Sequence, residues 1–164
     1  MKLSHSEPPE DVVQGDLKGR ITKEIWSGGS QGHLSITRTL ASSDSTTRVL
    51  LVHGFAQNRY TWDSPGRSFS NWLALSGAEV WSLELSGHGR SETASARVTF
   101  EDYVDDLVSV IEHFSGDIVV IGHSLGGSVA YAAAGRTSVK GVVGLAAIYE
   151  FCKGNKYMRA VCRL

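Results

Sequence analysis

The chain has 164 residues, of which 41% are hydrophobic and 20% charged, values typical of one soluble globular domain. Its formal net charge of -1 excludes a strongly basic nucleic-acid binder, so no nucleic-acid partner is expected. No apolar run approaches the roughly 18 residues of a membrane span, and no signal peptide is recognised. Only two cysteines occur, Cys152 and Cys162, which excludes a disulfide framework and makes a cytoplasmic location the expectation.

The first elements along the chain are a polar arm and a β-hairpin. Residues 1–17 are polar and contain Pro8 and Pro9, which predicts a flexible N-terminal arm. Apolar and polar residues then alternate on both sides of a glycine-rich stretch at residues 27–32. This alternation predicts a hairpin of two strands over residues 21–37.

Four short apolar runs further along the chain predict strands that are buried on both faces of a parallel sheet. These runs cover residues 48–52, 80–83, 118–121 and 142–148. Helical patterns separate them, a short one from Phe69 to Gly77 and a longer one from Phe100 to Phe114 with Thr99 as its N-cap. Alternating strands and helices predict an α/β fold with a mostly parallel sheet after the hairpin.

The pattern Gly-x-Ser-x-Gly occurs twice. The first copy, around Ser30, lies in the predicted hairpin turn and is interpreted as a flexible turn. The second copy surrounds Ser124, where it follows a predicted buried strand and precedes an alanine-rich helix. Strand, sharp turn and helix are the context of a nucleophile elbow, which makes Ser124 the candidate nucleophile. Close approach of the strand and the helix would require Gly122 and Gly126, although a generic glycine-rich turn also fits.

A serine nucleophile needs N–H donors for the oxyanion of its tetrahedral intermediate. One candidate is the backbone N–H of Leu125, at the start of the alanine-rich helix. The other is the backbone N–H of Phe55, in the loop after the predicted strand at residues 48–52. Gly54 would let that loop come close to the nucleophile.

Three motifs together resemble the serine hydrolase branch of the α/β-hydrolase superfamily over residues 18–150. They are His53-Gly54-Phe55, then Ser86-Gly87-His88-Gly89-Arg90-Ser91, and Gly122-His123-Ser124-Leu125-Gly126-Gly127. The resemblance implies an enzyme without cofactor or metal that hydrolyses a small-molecule ester or thioester through an acyl-enzyme at Ser124. It implies structural roles for the other motif residues, which are His53, Gly54, Gly87, His88, Gly89, Gly122, His123, Gly126 and Gly127. A serine at the nucleophile position argues against the dehalogenase and epoxide-hydrolase branches.

The partners of the nucleophile are incomplete in this sequence. In the family that it resembles, an acid and then a histidine base follow the nucleophile along the chain. None of the six histidines follows Ser124, and Glu150 is the only later carboxylate, which makes Glu150 the candidate acid. The sequence therefore predicts a truncated hydrolase that lacks the triad histidine and has little or no activity alone. Its base would come from downstream sequence or from another chain.

Two further expectations concern the end of the sequence and the alternative functions. Because the sequence lacks the later strands of the family, we expect the strand at residues 142–148 to be an exposed sheet edge through which the protein could self-associate. Residues 151–164 form a basic tail, for which a native amphipathic segment and a truncated or frameshifted end both fit. The alternative function is a non-catalytic α/β-hydrolase-fold module that binds a partner. Dinucleotide binding is disfavoured, because Gly87-His88-Gly89 lacks the third glycine of that motif.

Overall fold

Strands alternate with helices in the computed structural model, which describes residues 1–41, 44–45, 47–93 and 97–148. The strands are β1 Lys2–Ser6, β2 Glu10–Gln14, β3 Leu17–Gly28, β4 Leu34–Leu40, β5 Thr47–Val52, β6 Asp63–Ser64, β7 Arg67–Ser68, β8 Ala78–Glu84, β9 Val119–His123 and β10 Gly141–Leu145. The helices are α1 Phe69–Leu75, α2 Phe100–Glu112 and α3 Leu125–Ala134, and a short 3-10 turn covers Arg59–Thr61.

Eight of these strands form one mixed sheet in the order β1-β3-β4-β8-β5-β9-β10, with β2 paired to β3. Strands β8, β5, β9 and β10 run parallel to one another, and β4 joins them antiparallel to β8. Parallel neighbours need a crossover connection, and α1, α2 and α3 occupy the three crossovers. The predicted α/β fold with four parallel strands is confirmed, while β6 and β7 form a separate small ladder.

The predicted strands are continuously apolar because helices cover both faces of the sheet. Successive side chains of a strand point to opposite faces. In β5, Leu50 and Val52 pack into a cluster with residues of α2 and α3. The alternate residues Val49 and Leu51 pack into a second cluster with α1 and Trp62. Strand β5 therefore lies between two hydrophobic clusters. It ends at the loop that contains the first of the three motifs, His53-Gly54-Phe55.

Residues 1–17, for which the sequence predicts a flexible arm, contain β1 and β2 instead. The long strand β3 serves both: its first half pairs with β2 and its second half with β1. The side chains of both strands are largely exposed, so their sequences lack the apolar alternation that indicates a strand. Pairing with β3 is what orders them. The predicted hairpin is confirmed as β3 and β4, which pair antiparallel from Thr22 and Leu40 to Gly28 and Leu34.

Helix α2 begins at the predicted N-cap. The Thr99 hydroxyl accepts from the Asp102 backbone N–H at 3.3 Å, and the Asp102 carboxylate accepts from the Thr99 backbone N–H at 2.7 Å. The Thr99 hydroxyl also donates to the Asp102 carboxylate at 2.7 Å. The hydrogen bonds that this carboxylate accepts, from the Thr99 side chain first and its backbone second, lower the pKa of Asp102. The buried face of the helix includes Val104, Leu107 and Ile111. The cap thereby fixes where the helix starts, and the apolar face fixes how it lies on the sheet.

Strand β10 forms one edge of the sheet in the described part of the chain. It pairs with β9, and its Val143 and Leu145 side chains are exposed to solvent. The strand ends at Leu145, three residues before the end of the predicted run. Among the described residues, no helix is both long and apolar enough to cross a bilayer.

The hydrophobic core around Leu50 gives a stability prediction. Leu50→Ala should lower the free energy of unfolding by about 2–5 kcal/mol, because it removes a fully buried side chain between two packed layers. Urea unfolding followed by circular dichroism measures this change. The control is Val13→Ala in the exposed part of β2, which should shift stability by about 0.5 kcal/mol or less. Equal effects of the two substitutions would contradict the placement of the core.

Candidate active site

Ser124 occupies the sharp turn between β9 and α3, as the sequence predicts. Its backbone has φ 51° and ψ -118°, a left-handed conformation that is costly for a residue with a side chain. The turn is fixed on both sides: the Ser124 N–H donates to Leu145 O at 2.9 Å, and its carbonyl accepts from Gly127 N–H at 3.0 Å. Backbone strain of this kind persists only where the surroundings impose it, and such sites are often functional.

The two glycines around Ser124 allow backbone to pack directly on backbone. A Cβ placed on Gly126 would lie 2.5 Å from the carbonyl oxygen of Val52 and closer still to that of His53. A Cβ placed on Gly122 would overlap the Gly126 carbonyl and lie 2.5 Å from Gly127 N. Neither position has room for a side chain. The packing reason for which the sequence analysis required glycine at both positions therefore holds.

The loop after β5 lies against the turn at Ser124. A Cβ on Gly54 would lie 3.2 Å from the Ser124 Cβ, so the backbone at Gly54 is close to the serine side chain. Gln57 holds this loop, since its Oε1 accepts from Gly54 N–H at 2.9 Å and from the Thr61 hydroxyl at 3.1 Å. Gln57 was not recognised from the sequence. Its partners are fixed only once the loop folds back on itself, so no local pattern marks it.

The two candidate oxyanion donors are backbone N–H groups at the start of α3 and in the loop after β5. Leu125 is the first residue of α3, where backbone N–H groups point out of the helix without partners within it. Phe55 follows Gly54 and precedes Ala56, which has a left-handed φ of 54°. The fold thus brings the loop of Phe55 to the turn that carries Ser124 and Leu125.

His53 is a buried structural residue. Its Nε2 accepts from the Leu85 backbone N–H at 3.1 Å, which leaves Nδ1 to donate to Gly54 O at 2.8 Å. This pairing corresponds to the neutral ring. Burial lowers the pKa of His53, and the neighbouring His88 lowers it further. His53 therefore links the end of β5 to the loop after β8.

Gly89 of the second motif lies against a buried carboxylate that the sequence analysis did not single out. Glu84 ends β8, and its side chain accepts from Arg59 N–H at 3.3 Å and from Arg90 N–H at 3.2 Å. A Cβ on Gly89 would overlap this carboxylate. His88 caps the same loop, with Nδ1 3.0 Å from Ser86 O. The sequence signal was an acidic residue directly after the mostly apolar run at residues 80–83.

A second buried carboxylate fixes the start of the same loop. Asp106 lies on the buried side of α2, and it accepts from Ser86 N–H at 3.0 Å. The other carboxylate oxygen is 3.2 Å from His33 Nε2, which is also 3.0 Å from the Ser86 hydroxyl. The sequence analysis missed Asp106 as well, although a charged residue on the apolar face of a helix could have indicated it.

Among the described residues, the remaining histidines make no hydrogen bond to the Ser124 hydroxyl. His123 turns toward Gln57, with its Nδ1 3.1 Å from Oε1, and its ring packs edge-on against Trp62. In the part of the chain that the structure describes, no histidine hydrogen-bonds to the Ser124 hydroxyl. The candidate acid Glu150 and the predicted basic tail, residues 151–164, lie outside the described residues. Within residues 1–41, 44–45, 47–93 and 97–148, no three His, Cys, Asp or Glu side chains could hold a metal.

An open groove of about 720 Å³ lies beside Ser124. Apart from Ser124 and Ser128, the side chains that line it are apolar or aromatic: Phe55, Phe100, Leu125, Tyr131, Ala132 and Ile148. Such a surface binds apolar groups, because burying them removes apolar area from water.

Comparison with known sequences agrees with this geometry. A sequence model described as the alpha/beta hydrolase family matches residues 49–161, more than half of the chain. The chain belongs to the alpha/beta hydrolase family. The matched range includes all three motifs that carry the resemblance.

The relatives include enzymes of the alpha/beta hydrolase family and show how much of such a protein the chain represents. Protein phosphatase methylesterase 1 of Bos taurus is 27% identical over 147 residues, covering 87% of this chain and 34% of that protein. The chain therefore spans about a third of the length of this relative. A CIB-like hydrolase of Thermoplasma acidophilum superposes with a TM-score of 0.64 at 20% identity, over 82% of this chain and 68% of that one. An esterase of a Rhodococcus species gives 0.64 at 24%, over 79% and 48%.

The close packing at Gly126 gives a stability prediction. Gly126→Ala should lower the free energy of unfolding by about 1–3 kcal/mol or more, because the new methyl group meets two backbone carbonyls that cannot move independently. The control is Gly141→Ala, where a Cβ would have nothing within 4 Å and stability should change by about 0.5 kcal/mol or less. Urea unfolding of both variants measures the difference, and equal stabilities would contradict the close contact.

His53 gives a pH prediction. Its folded-state pKa lies below the ordinary value of 6.5, so below about pH 6.5 the unfolded chain takes up a proton that the folded chain does not. The free energy of unfolding should therefore fall as the pH drops from 7.5 to 5.5. His53→Gln should reduce this fall, because the amide oxygen can accept from Leu85 N–H without titrating. Burial also lowers the pKa of His113, and that contribution remains in both proteins.

Urea unfolding at the two pH values measures the difference in slope. The matched control is His5→Gln on the exposed strand β1, which should leave the pH dependence of the parent chain unchanged. If His53→Gln and the parent chain lose the same stability between pH 7.5 and 5.5, the buried neutral histidine is not the cause.

Proposed function

We propose that this chain carries the nucleophile and the oxyanion-binding part of a serine hydrolase that cleaves carboxylic esters or thioesters. The observation that carries the proposal is the strained backbone of Ser124, held at the turn between β9 and α3 against the loop of Gly54. Family membership and the distant similarity to a methylesterase support ester hydrolysis as the reaction class. The apolar wall of the groove beside Ser124 supports an acyl group or leaving group with apolar surface.

In the proposed reaction, the Ser124 oxygen attacks the acyl carbon, and its proton passes to a general base. The carbonyl oxygen becomes an oxyanion, which the backbone N–H groups of Phe55 and Leu125 would stabilise. When the intermediate collapses, the bond to the alcohol or thiol breaks, and this leaving group takes the proton from the base. A water molecule then repeats the sequence on the acyl-enzyme and releases the acid.

Within residues 1–41, 44–45, 47–93 and 97–148, no side chain is placed as a general base for Ser124. His53, His88 and His123 each have a ring nitrogen in a hydrogen bond to a residue other than Ser124. We therefore assign the general base to a histidine of another stretch of polypeptide, in the same protein or in a partner. Glu150 remains the candidate acid. Without the base, the oxyanion-binding groups alone would leave roughly 10³–10⁴-fold acceleration over water.

The test is covalent capture of Ser124. Incubation with a fluorophosphonate should give a slow adduct of a single probe mass, and peptide mapping should locate it on Ser124. Ser124→Ala should remove the adduct. The matched control is Ser30→Ala, which changes the serine of the other Gly-x-Ser-x-Gly sequence, on an exposed turn, and should leave labelling intact.

Two results would contradict the proposal in different ways. If Ser124 is not labelled above the level of the other serines, the non-catalytic module is the better function for this chain. If the 164-residue chain turns over p-nitrophenyl butyrate rapidly in a Ser124-dependent manner, the nucleophile is correct and the assignment of the base to another polypeptide stretch is wrong.

A further inference from the structure

One side-chain oxygen, Oε1 of Gln57, joins the two backbone segments that meet at Ser124. It accepts from the Gly54 backbone N–H at 2.9 Å, in the loop that contains Phe55. It also lies 3.1 Å from Nδ1 of His123, the residue directly before Ser124. Gln57 is therefore hydrogen-bonded to the residue before a candidate oxyanion donor and to the residue before the candidate nucleophile.

The same three side chains converge on the backbone of Gly54. A Cβ placed on Gly54 would lie 2.8 Å from Oε1 of Gln57 and 3.2 Å from the Ser124 Cβ. It would lie 3.1 Å from Nδ1 of His123. The glycine backbone thus packs against the serine side chain, with the hydrogen bond between Gln57 and His123 beside it. Any displacement of the Gln57 side chain would change how Gly54 sits against Ser124.

The partners of the Gln57 amide fix its orientation. A backbone N–H can only donate, so the amide atom that faces Gly54 must be the oxygen. An amide oxygen can only accept, so Nδ1 of His123 must carry a hydrogen in order to bond to it. In a neutral ring, Nε2 is then the nitrogen without a hydrogen. Gln57 therefore selects one tautomer of His123 while it holds the loop after β5.

We propose that Gln57 is a positioning residue for the reaction at Ser124. It holds the loop of Phe55 against the turn at Ser124, where the Phe55 N–H would bind the oxyanion. This inference rests on the proposed function. A donor stabilises the oxyanion best when it is in place before the charge develops, and a misplacement of about 1 Å can cost roughly 10²-fold in rate. Gln57 itself touches no reacting atom and acts through its bonds to Gly54 and His123.

The experiment compares fluorophosphonate labelling of Ser124 in the parent chain and in Gln57→Met, which keeps an unbranched side chain of similar length and removes the amide acceptor. Labelling over a range of probe concentrations separates the maximal rate of the covalent step from the affinity for the probe. As Ser124 attacks, the phosphoryl oxygen gains negative charge, as the carbonyl oxygen of an ester would. We expect the maximal rate to fall about tenfold or more in Gln57→Met, while the affinity changes less than about threefold.

Two further variants separate positioning from a general loss of structure. Gln57→Glu keeps an oxygen acceptor in the same place, so its maximal rate should stay within about threefold of the parent rate. The matched control is Gln14→Met on β2, because Gln14 also accepts a backbone N–H through Oε1, that of Ser68 at 2.9 Å. Neither Gln14 nor Ser68 lines the groove beside Ser124, so this substitution should leave the labelling rate unchanged.

The tautomer of His123 gives a second readout, which does not depend on labelling. Nitrogen-15 NMR distinguishes a protonated ring nitrogen from an unprotonated one, and His123→Gln identifies the signals. At about pH 8.5, where an ordinary histidine ring is neutral, the parent chain should carry the hydrogen on Nδ1. Gln57→Met should lose this preference, because a thioether accepts hydrogen bonds only weakly. Gln14→Met should keep the pattern of the parent chain.

Failure of this inference and failure of the proposed function give different results. If the parent chain is not labelled at Ser124, the proposed function is wrong and the role of Gln57 falls with it. If the parent chain is labelled and folded Gln57→Met reacts at the same maximal rate, only the role of Gln57 is wrong. A Gln57→Glu variant as slow as Gln57→Met would also overturn that role, as would a hydrogen on Nε2 of His123 in the parent chain.

Discussion

The site depends on direct backbone contact between the start of α3 and the end of β5. Gly126 lies on the carbonyl oxygens of Val52 and His53, at a separation that leaves no room for a methyl group. This contact sets the distance between the helix that begins at Leu125 and the loop that contains Phe55. A serine on one element and N–H donors on both can face the same point only if the elements touch. The strain at Ser124 is the local cost of that geometry, and the packed sheet on either side maintains it.

Three polar side chains, of which Glu84 and Asp106 are buried and Gln57 is half-buried, hold the loops at this end of the sheet. Gln57 holds the loop after β5, while Glu84 and Asp106 hold the loop after β8 by its backbone N–H groups. Each side chain spans segments that are distant along the chain. A buried carboxylate is costly unless it is hydrogen-bonded, so these loops and these acids stabilise one another. The result is a set of loops whose backbone N–H groups are held by side-chain hydrogen bonds.

The parts of the structure that the sequence predicted are those that short segments determine. Helix α2, the hairpin of β3 and β4, and the turn at Ser124 each follow from spacing, caps or glycines within about fifteen residues. Strands β1 and β2 could not be predicted, because their order comes from pairing with β3 and their exposed side chains carry no alternation. Gln57 was missed for a related reason, since its partner His123 lies 66 residues away in the sequence. The partner of Asp106, His33, lies 73 residues away, and in the sequence only the charge of Asp106 on the apolar face of α2 marks it. Contacts over such separations are properties of the folded chain, which a linear pattern does not record.

The hydrogen bond from Ser124 N–H to Leu145 O joins the turn at Ser124 to the end of strand β10. In the described part of the sheet β10 is an edge strand, and edge strands open locally more often than central ones. Each such opening releases the amide of Ser124, so hydrogen exchange at this one amide reports the fraying of β10. A segment that adds to the free side of β10 would suppress these openings. It would thereby tighten the turn at Ser124 without contacting the serine itself.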